Sequence, residues 1–461
     1  MGIYPDDLKL GKVIPIYNKG QQHTPGNYRP ITLLSGFNKI FEKLLHNRIM
    51  KYLNENNVIC KYQFAFRKLY STTIALIEIT DRIKHLVDDG NYVVGIFLDL
   101  TKAFDTVNHQ ILLDKLHHYG IRGHSNSFFE SYLTNRKQYV HINGKSSKII
   151  NQNTGVPQGS VLGPLFFLLY INDIYNSINT CDIRLFADDT SLFAHDKNLN
   201  LAKEKAQSAY IEIHKWLNCN RLTLNSTKTH FLIFHNKNKY IPDNLNVLEC
   251  GNHVINRVKS IDYIGLKIDE NLTWKHHVDK VTSSLIRYFA IFSKTRLFVN
   301  NSLGRQIFYA LINSRIRYGI EVYGSCADSY INKLQIIQNK LLKLLMNIEP
   351  RYSTNLLHTN LKLLKVKDLH NFASLLFTYE CLNKKGPILF HEYFQYKQFH
   401  HNMRGSLKLN VPFSKTNTGR KRVNTRMAEE WNKLPANIAT LESKGKFKRE
   451  LKAFLLSKYH E

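Results

Sequence analysis

The sequence predicts an α+β fold, and three observations carry that prediction. Val93-Val94-Gly95-Ile96-Phe97-Leu98 is an unbroken apolar run of strand length, suited to a strand buried on both faces. Leu185-Phe186-Ala187-Asp188-Asp189-Thr190-Ser191-Leu192-Phe193 sets alternating apolar residues on both sides of an acidic pair. That is the pattern of a β-hairpin with two carboxylates at its tip. Helical stretches separate these pieces, and Phe231 to Phe234 adds another strand. The resulting order of strand, helix, hairpin, helix and strand is a split βαβ arrangement.

The remaining elements follow in chain order. Ile40, Phe41, Leu44, Leu45, Ile49 and Leu53 recur at helical spacing, which predicts an amphipathic helix over Phe37 to Leu53 with that side inward. Ser71 to Val87 reads likewise. Lys102 to Val107 turns the chain, and Gln110 to Tyr119 is a helix closed by Gly120. Phe128 to Leu133 is a short apolar piece. Gln138 to Ile142 and Lys148 to Gln152 form a hairpin about Asn143-Gly144, a strong turn dipeptide. Gly155 to Gly163 is too rich in Gly and Pro for regular structure, and its glycines let a ligand approach the backbone closely. An apolar helix follows from Leu165 to Ile174, and Ala202 to Leu217 is another helix. From His276 to Met346 the pattern is helical and basic.

The chain has 461 residues, 43% of them hydrophobic, and a formal net charge of +28 from 64 Lys and Arg against 36 acids. The length suits two or three structural units. A field of that sign selects polyanions, nucleic acid first among them. A membrane is not expected as a partner. The most lipid-like stretch, Val161 to Ile171, is short and holds Pro164. The six cysteines stand singly with no Cys-x-x-Cys pair, so neither a zinc knuckle nor a disulfide framework is expected. No secretory signal precedes the first motif, and the expected location is the nucleus, the cytoplasm or both. Residues 351–461 carry 21 Lys and Arg against 8 acids, with Gly419-Arg420-Lys421-Arg422 the densest cluster. Two readings stay open there: phosphate contacts to RNA or DNA, or a solvated surface or import signal.

The acids carry the chemistry. Adjacent carboxylates such as Asp188 and Asp189 repel unless a cation offsets them, and Mg²⁺ takes hard oxygen ligands of this kind. Asp99 ends the apolar run, and an acid at the end of a buried strand needs a partner or a metal. One single and one paired acid site can together hold two Mg²⁺, the arrangement that serves in-line phosphoryl displacement. Read alone, the acidic dipeptide is more often a solvated turn, and the third carboxylate, Asp99, reverses that.

Five blocks then occur in a telling order: Asn27-Tyr28-Arg29-Pro30-Ile31, Gln63-Phe64-Ala65-Phe66-Arg67, Leu98-Asp99-Leu100-Thr101-Lys102-Ala103-Phe104-Asp105, Gly155-Val156-Pro157-Gln158-Gly159-Ser160 and Phe186-Ala187-Asp188-Asp189. This series resembles reverse transcriptases, and more narrowly those of non-LTR retrotransposons of the jockey-like and related LINE clades. Leu222-Thr223-Leu224-Asn225 with Lys228-Thr229, then Tyr263-Ile264-Gly265, Tyr318-Gly319-Ile320 and Trp431-Asn432-Lys433-Leu434-Pro435, extend the resemblance over nearly the whole chain.

The resemblance implies a right-hand polymerase. It has fingers and palm over 1–275, a helical thumb over 276–350 and a basic carboxy-terminal region over 351–461. It implies an RNA-directed DNA polymerase acting on an RNA template, a DNA primer or target DNA, and dNTPs. Two Mg²⁺, for which Mn²⁺ can substitute, would be held by Asp99, Asp188, Asp189 and the Leu100 carbonyl. Arg29 and Arg67 fall in the fingers near template or incoming nucleotide, where a guanidinium forks onto phosphate. Phe104 falls where a bulky residue abuts the sugar and excludes a 2′-hydroxyl; as an isolated residue it is more often core. Gln158 and Gly159 fall where the new base pair packs. Lys228 matches a lysine that protonates the leaving pyrophosphate.

Two departures stand out. Ala65 replaces the usual Gly, which a methyl group tolerates only if φ is negative. These elements normally place an endonuclease ahead of the polymerase, whereas this chain opens almost at the polymerase pattern, so on its own it is not expected to nick DNA. An RNA-dependent RNA polymerase is the alternative enzyme, disfavoured by Phe104 and by Ala187 before the acidic pair. A non-catalytic remnant that binds nucleic acid by charge is the alternative of another class.

Overall fold

The computed structural model describes residues 2–18, 20–242, 245–397 and 408–459. Two larger sheets, a two-stranded ribbon and a helical body build it. The first sheet holds β1 (Leu10–Tyr17), β2 (Tyr28–Leu33), β4 (Arg136–Ile142), β5 (Lys145–Ser146) and β6 (Ile150–Gln152), with β1 antiparallel to β2 and parallel to β4. Between them lie α1 (Gly36–Glu55), α2 (Thr72–Asp88), β3 (Tyr92–Leu98), α3 (His109–His118) and α4 (His124–Leu133). The second sheet adds β7 (Asp182–Phe186), β8 (Asp189–Asp196), β9 (His230–Phe234), β10 (Val247–Cys250) and β11 (His253–Arg257), in the order β10-β11-β9-β3-β8-β7. Helices α5 (Leu162–Ile171) and α6 (Leu199–Cys219) supply the crossovers. The β9-β3-β8-β7 core is the split βαβ arrangement expected from the sequence.

Strand β3 is central and buried on both faces, as its unbroken apolar run requires. Val94, Ile96 and Leu98 join one core with α5 and α6, while Val93 and Phe97 join the other with α2. Each such side chain contributes roughly 1.5–3 kcal/mol on burial. Gly95 between them leaves no room for a larger residue, since a Cβ would stand 2.8 Å from the Phe234 ring.

Helix α1 corrects the sequence reading. Phe37, Ile40, Phe41 and Leu44 face outward at 72%, 60%, 50% and 58% exposure, while Asn38 and Glu42 are fully buried. Only the second half of the helix, at Ile49 and Leu53, turns its apolar side in. The cause is polar demand from elsewhere in the chain. Glu42 accepts hydrogen bonds from the Tyr132 hydroxyl (2.6 Å), from Asn38 (2.9 Å) and from the N–H of Val161 at the head of α5, and Tyr4 pairs with Asn38. A carboxylate at a helix N-terminus is favourable, and burying those groups unpaired would cost more than exposing apolar carbons.

The hairpin at Asn143-Gly144 forms as read, both residues taking positive φ (48° and 79°). Its return strand is split: β5 and β6 pair separately with β4, and residues 147–149 lie outside both.

After the two-stranded ribbon β12 (Ser260–Tyr263) and β13 (Leu266–Asp269), the chain is helical. Helices α7 (Lys275–Ile286), α8 (Tyr288–Thr295), α9 (Asn301–Ile307), α10 (Ser314–Arg317), α11 (Ile320–Tyr323) and α12 (Asp328–Leu345) lead into α13 (Thr354–Asn360) and α14 (Val366–Leu382). The last are α15 (Asn417–Arg420), α16 (Val423–Trp431), α17 (Ala436–Ala439) and α18 (Lys444–Ser457).

Residues beyond 350 are not an appendage, because Phe377, Trp431, Phe447 and Leu451 share one core with α2 and α12. The polar side of α2 anchors them. Asp81 accepts the Val423 N–H at the start of α16 (2.7 Å), and Asp88 accepts the Lys415 and Thr416 N–H groups ahead of α15. Lys84 donates to the Lys421 carbonyl (2.8 Å), and burial pushes its amine down to about 7. Arg422, in the densest basic cluster, lies 3.7 Å from Asp81 and is not free for phosphate. Among the described residues no helix is long and apolar enough to cross a membrane.

Candidate active site

The register of β3 against β8 brings the acids together. Leu98 pairs with Thr190 and Phe97 with Ser191, so the next step of the antiparallel ladder sets Asp99 across from Asp189. Phe186 pairs with Asp189 to close the β7–β8 hairpin, leaving Ala187 and Asp188 as the turn. Ala187 takes a left-handed φ of 55°, which costs a non-glycine residue about 1–2 kcal/mol. Asp99 is held by its backbone to a passing segment: its N–H donates to Thr229 Oγ1 (3.2 Å) and its carbonyl accepts from the Asn225 N–H (2.8 Å).

The electrostatics report uncompensated negative charge. Burial, then the charges of Asp188 and Asp99, push the Asp189 carboxyl up to about 6. Asp188 is also raised, chiefly by burial and further by Asp99, against a lowering pull from its own backbone N–H and Arg29. The sequence shows no basic neighbour for these acids. The fold supplies one, since Lys228 Nζ lies 3.4 Å from Asp99 Oδ2. Among the described residues no three ligating side chains are gathered into a ready chelate. All-oxygen donors under mutual repulsion nevertheless match a hard divalent cation, whose charge would relieve the burden on Asp188 and Asp189.

A cleft of about 1190 Å³ opens above these groups, larger than the roughly 300–1,000 Å³ of common small-molecule pockets. Arg29, Asp99, Phe104, Gln158, Asp188 and Lys228 all line it, with Leu100 beside Asp99. Asp189 stands across the ladder from Asp99, and cross-strand partners share a face, so its charge lies beside theirs.

The family model described as reverse transcriptase (RNA-dependent DNA polymerase) matches residues 16–268, more than half of the chain. The chain belongs to the reverse transcriptase family. The probable RNA-directed DNA polymerase from transposon X-element of Drosophila melanogaster is 29% identical over 381 residues, covering 79% of this chain and 40% of that protein. The RNA-directed DNA polymerase from mobile element jockey of the same species is 28% identical over 385 residues, covering 81% and 42%. The chain thus spans about two-fifths of the length of those relatives. Among solved structures, telomerase from Candida tropicalis in complex with a fragment of telomeric RNA is a remote likeness. The TM-score is 0.40 at 13% identity, covering 97% of this chain and 64% of that one.

The other residues singled out in this reverse transcriptase fall as follows. Phe104 does two things at once: it lines the cleft and stacks on Phe167, with centroids 4.5 Å apart at 29°. Gln158 is locked at both ends, its carbonyl accepting from the Thr32 N–H of β2 (2.6 Å) and its side chain donating to Asp105 Oδ1 (2.8 Å). Gly159, beside it, has φ 125°, and a Cβ there would stand 2.5 Å from the Thr32 carbonyl oxygen. Only glycine lets the loop dock so closely.

Arg67 is not brought to the cleft. Its guanidinium donates to the Cys60 and Gln63 carbonyls (both 3.1 Å) and lies over the Tyr70 ring, which makes it a brace for its own loop. Ala65 keeps an ordinary φ because the left-handed position falls on Phe66 (φ 55°), so the departure from glycine is absorbed. Sequence reasoning quoted Asp105 and Gln63 inside motifs but gave them no part.

Proposed function

We propose that this chain is the polymerase portion of a non-LTR retrotransposon enzyme and extends a DNA primer on an RNA template by nucleotidyl transfer. The observation that carries the reading is the strand register that sets Asp99 across from the end of the Ala187–Asp188 turn, beside a large cleft that Asp99 and Asp188 line. The fingers and palm would span 1–275, the thumb 276–350, and the region 351–461 would pack behind them, in the nucleus or cytoplasm.

Asp99, Asp188 and Asp189, with the Leu100 carbonyl, are the groups that would hold two Mg²⁺, or Mn²⁺ in their place. When bound, the ions lower the pKa of the primer 3′-hydroxyl and neutralise charge on the transferring phosphoryl group. Arg29, exposed on β2 at the cleft wall, would take phosphate of the incoming dNTP. Lys228 would donate its proton to the leaving pyrophosphate. The Phe104 ring would exclude a ribose 2′-hydroxyl, and Gln158 with Gly159 would support the nascent base pair. Arg67 would serve by holding the loop that abuts the Asp188 turn.

Primer extension by the purified chain, set beside RNA binding on the same preparation, tests the reading. Asp188→Asn is expected to abolish extension and leave RNA binding within about two-fold. Extension that survives the substitution removes the metal role, and a wild-type chain that binds RNA without extending a primer is a remnant.

A further inference from the structure

Gln63 belongs to one of the five motif blocks and is buried to 0% exposure. The segment around it lies along the outer edge of β7: Phe64 N–H donates to the Leu185 carbonyl (2.9 Å) and Leu185 N–H to the Tyr62 carbonyl (3.0 Å). From that berth the Gln63 side chain reaches the acidic turn. Its Oε1 accepts from the Ala65 N–H (3.0 Å) and from the Ala187 N–H (3.3 Å). Two donors on one oxygen fix the amide's orientation, and Nε2 is left buried without a partner among the described residues. An apolar side chain would avoid that cost, so the acceptor is what the position retains. Arg67 completes the brace by donating to the Gln63 carbonyl (3.1 Å).

We propose that Gln63 is a positioning residue: its carboxamide holds Ala187 in the left-handed conformation that presents Asp188 to the cleft. A left-handed alanine persists only where its surroundings over-determine it, and this hydrogen bond comes from outside the hairpin. The inference rests on the polymerase reading for its consequence, but not for the contact itself.

The test compares wild type with Gln63→Met, which keeps the length and removes the acceptor. Gln63→Met lowers kcat for primer extension at least ten-fold and raises the half-saturating Mg²⁺ concentration at least three-fold. The KM for dNTP, RNA binding and Tm stay close to wild type. Extension within two-fold of wild type overturns the proposal, as does a loss that only tracks the folded fraction with an unchanged Mg²⁺ requirement. A second measurement needs neither activity nor the variant. In ¹⁵N-alanine-labelled wild type, with the Ala187 signal identified by its absence in Ala187→Gly, the Ala187 amide exchanges far more slowly than an open turn amide. Fast exchange there overturns the contact even if the enzyme is active. Slow exchange in an inactive chain leaves the contact standing and removes only the polymerase reading.

Discussion

Lys228 and Asp99 lie 129 residues apart in the chain, yet Lys228 Nζ stands 3.4 Å from Asp99 Oδ2. Both side chains are about half exposed, at 52% and 39%, so the pair adds at most about 1 kcal/mol to stability. In the proposed mechanism that ammonium protonates the leaving pyrophosphate. Lys228→Met should therefore leave Tm almost unchanged and slow single-turnover extension by roughly 10²-fold or more, the lower range for a lost general acid. A slowing of less than two-fold would mark Lys228 as a plain counter-ion to Asp99.

Asp189 makes a different forecast, one of stability. Its carboxyl is raised to about 6 by burial and by Asp188 and Asp99, against about 3.9 in an unfolded chain. A raised carboxyl favours the protonated form in the folded state, so its penalty is absent below pH 4, grows between pH 4 and 6, and is complete above 6. Without divalent metal, Asp189→Asn should therefore raise stability by up to about 3 kcal/mol at pH 7. The gain should vanish toward pH 4. Melting curves of both proteins from pH 4 to 8 check this, and a difference that does not vary with pH would contradict it.

Phe104 stacks on Phe167 and also faces the cleft, so the core and gate readings of the sequence are not exclusive. Phe104→Ala should lower stability and also admit ribonucleotides. The diagnostic quantity is the ratio of single-turnover dNTP to rNTP incorporation, because a stability loss cancels in it. A fall of ten-fold or more, about 1.4 kcal/mol, marks a gate. A ratio held within two-fold leaves only the packing role.

What the sequence made legible follows the range of the interactions involved. The β3 run and the β7–β8 hairpin were readable because strand patterns are local. That Asp99 faces Asp189 was not readable, since register between β3 and β8 is set by pairing across some ninety residues. The inversion of α1 was hidden for the same reason: Tyr132 and Val161, the partners that draw Glu42 inward, come from 90 and 119 residues away. Apolar spacing alone ranked Phe41 and Leu44 as core. Arg67 was legible as a motif member, but its guanidinium is spent on backbone carbonyls that only the folded loop brings near.

The basic carboxy-terminal region was legible in charge and not in packing, and that difference sets how it must be tested. Removing residues 351–461 would strip Phe377, Trp431 and Phe447 from the core shared with α2, so a truncated chain is expected to be insoluble and says nothing about phosphate contacts. Arg422 is likewise unsuited, being engaged with Asp81. Arg420 and Lys421 in the same cluster are exposed, so replacing both with Gln removes charge without opening the core. If both meet phosphate, the slope of log affinity against log salt should flatten by nearly two units on duplex DNA, and by somewhat less on single-stranded RNA. Tm should hold within a few degrees. Binding titrated at several salt concentrations reads the slope directly. An unchanged slope would assign this charge to solubility or import, and the polymerase reading would stand, because it rests on Asp99 and Asp188 and not on the tail.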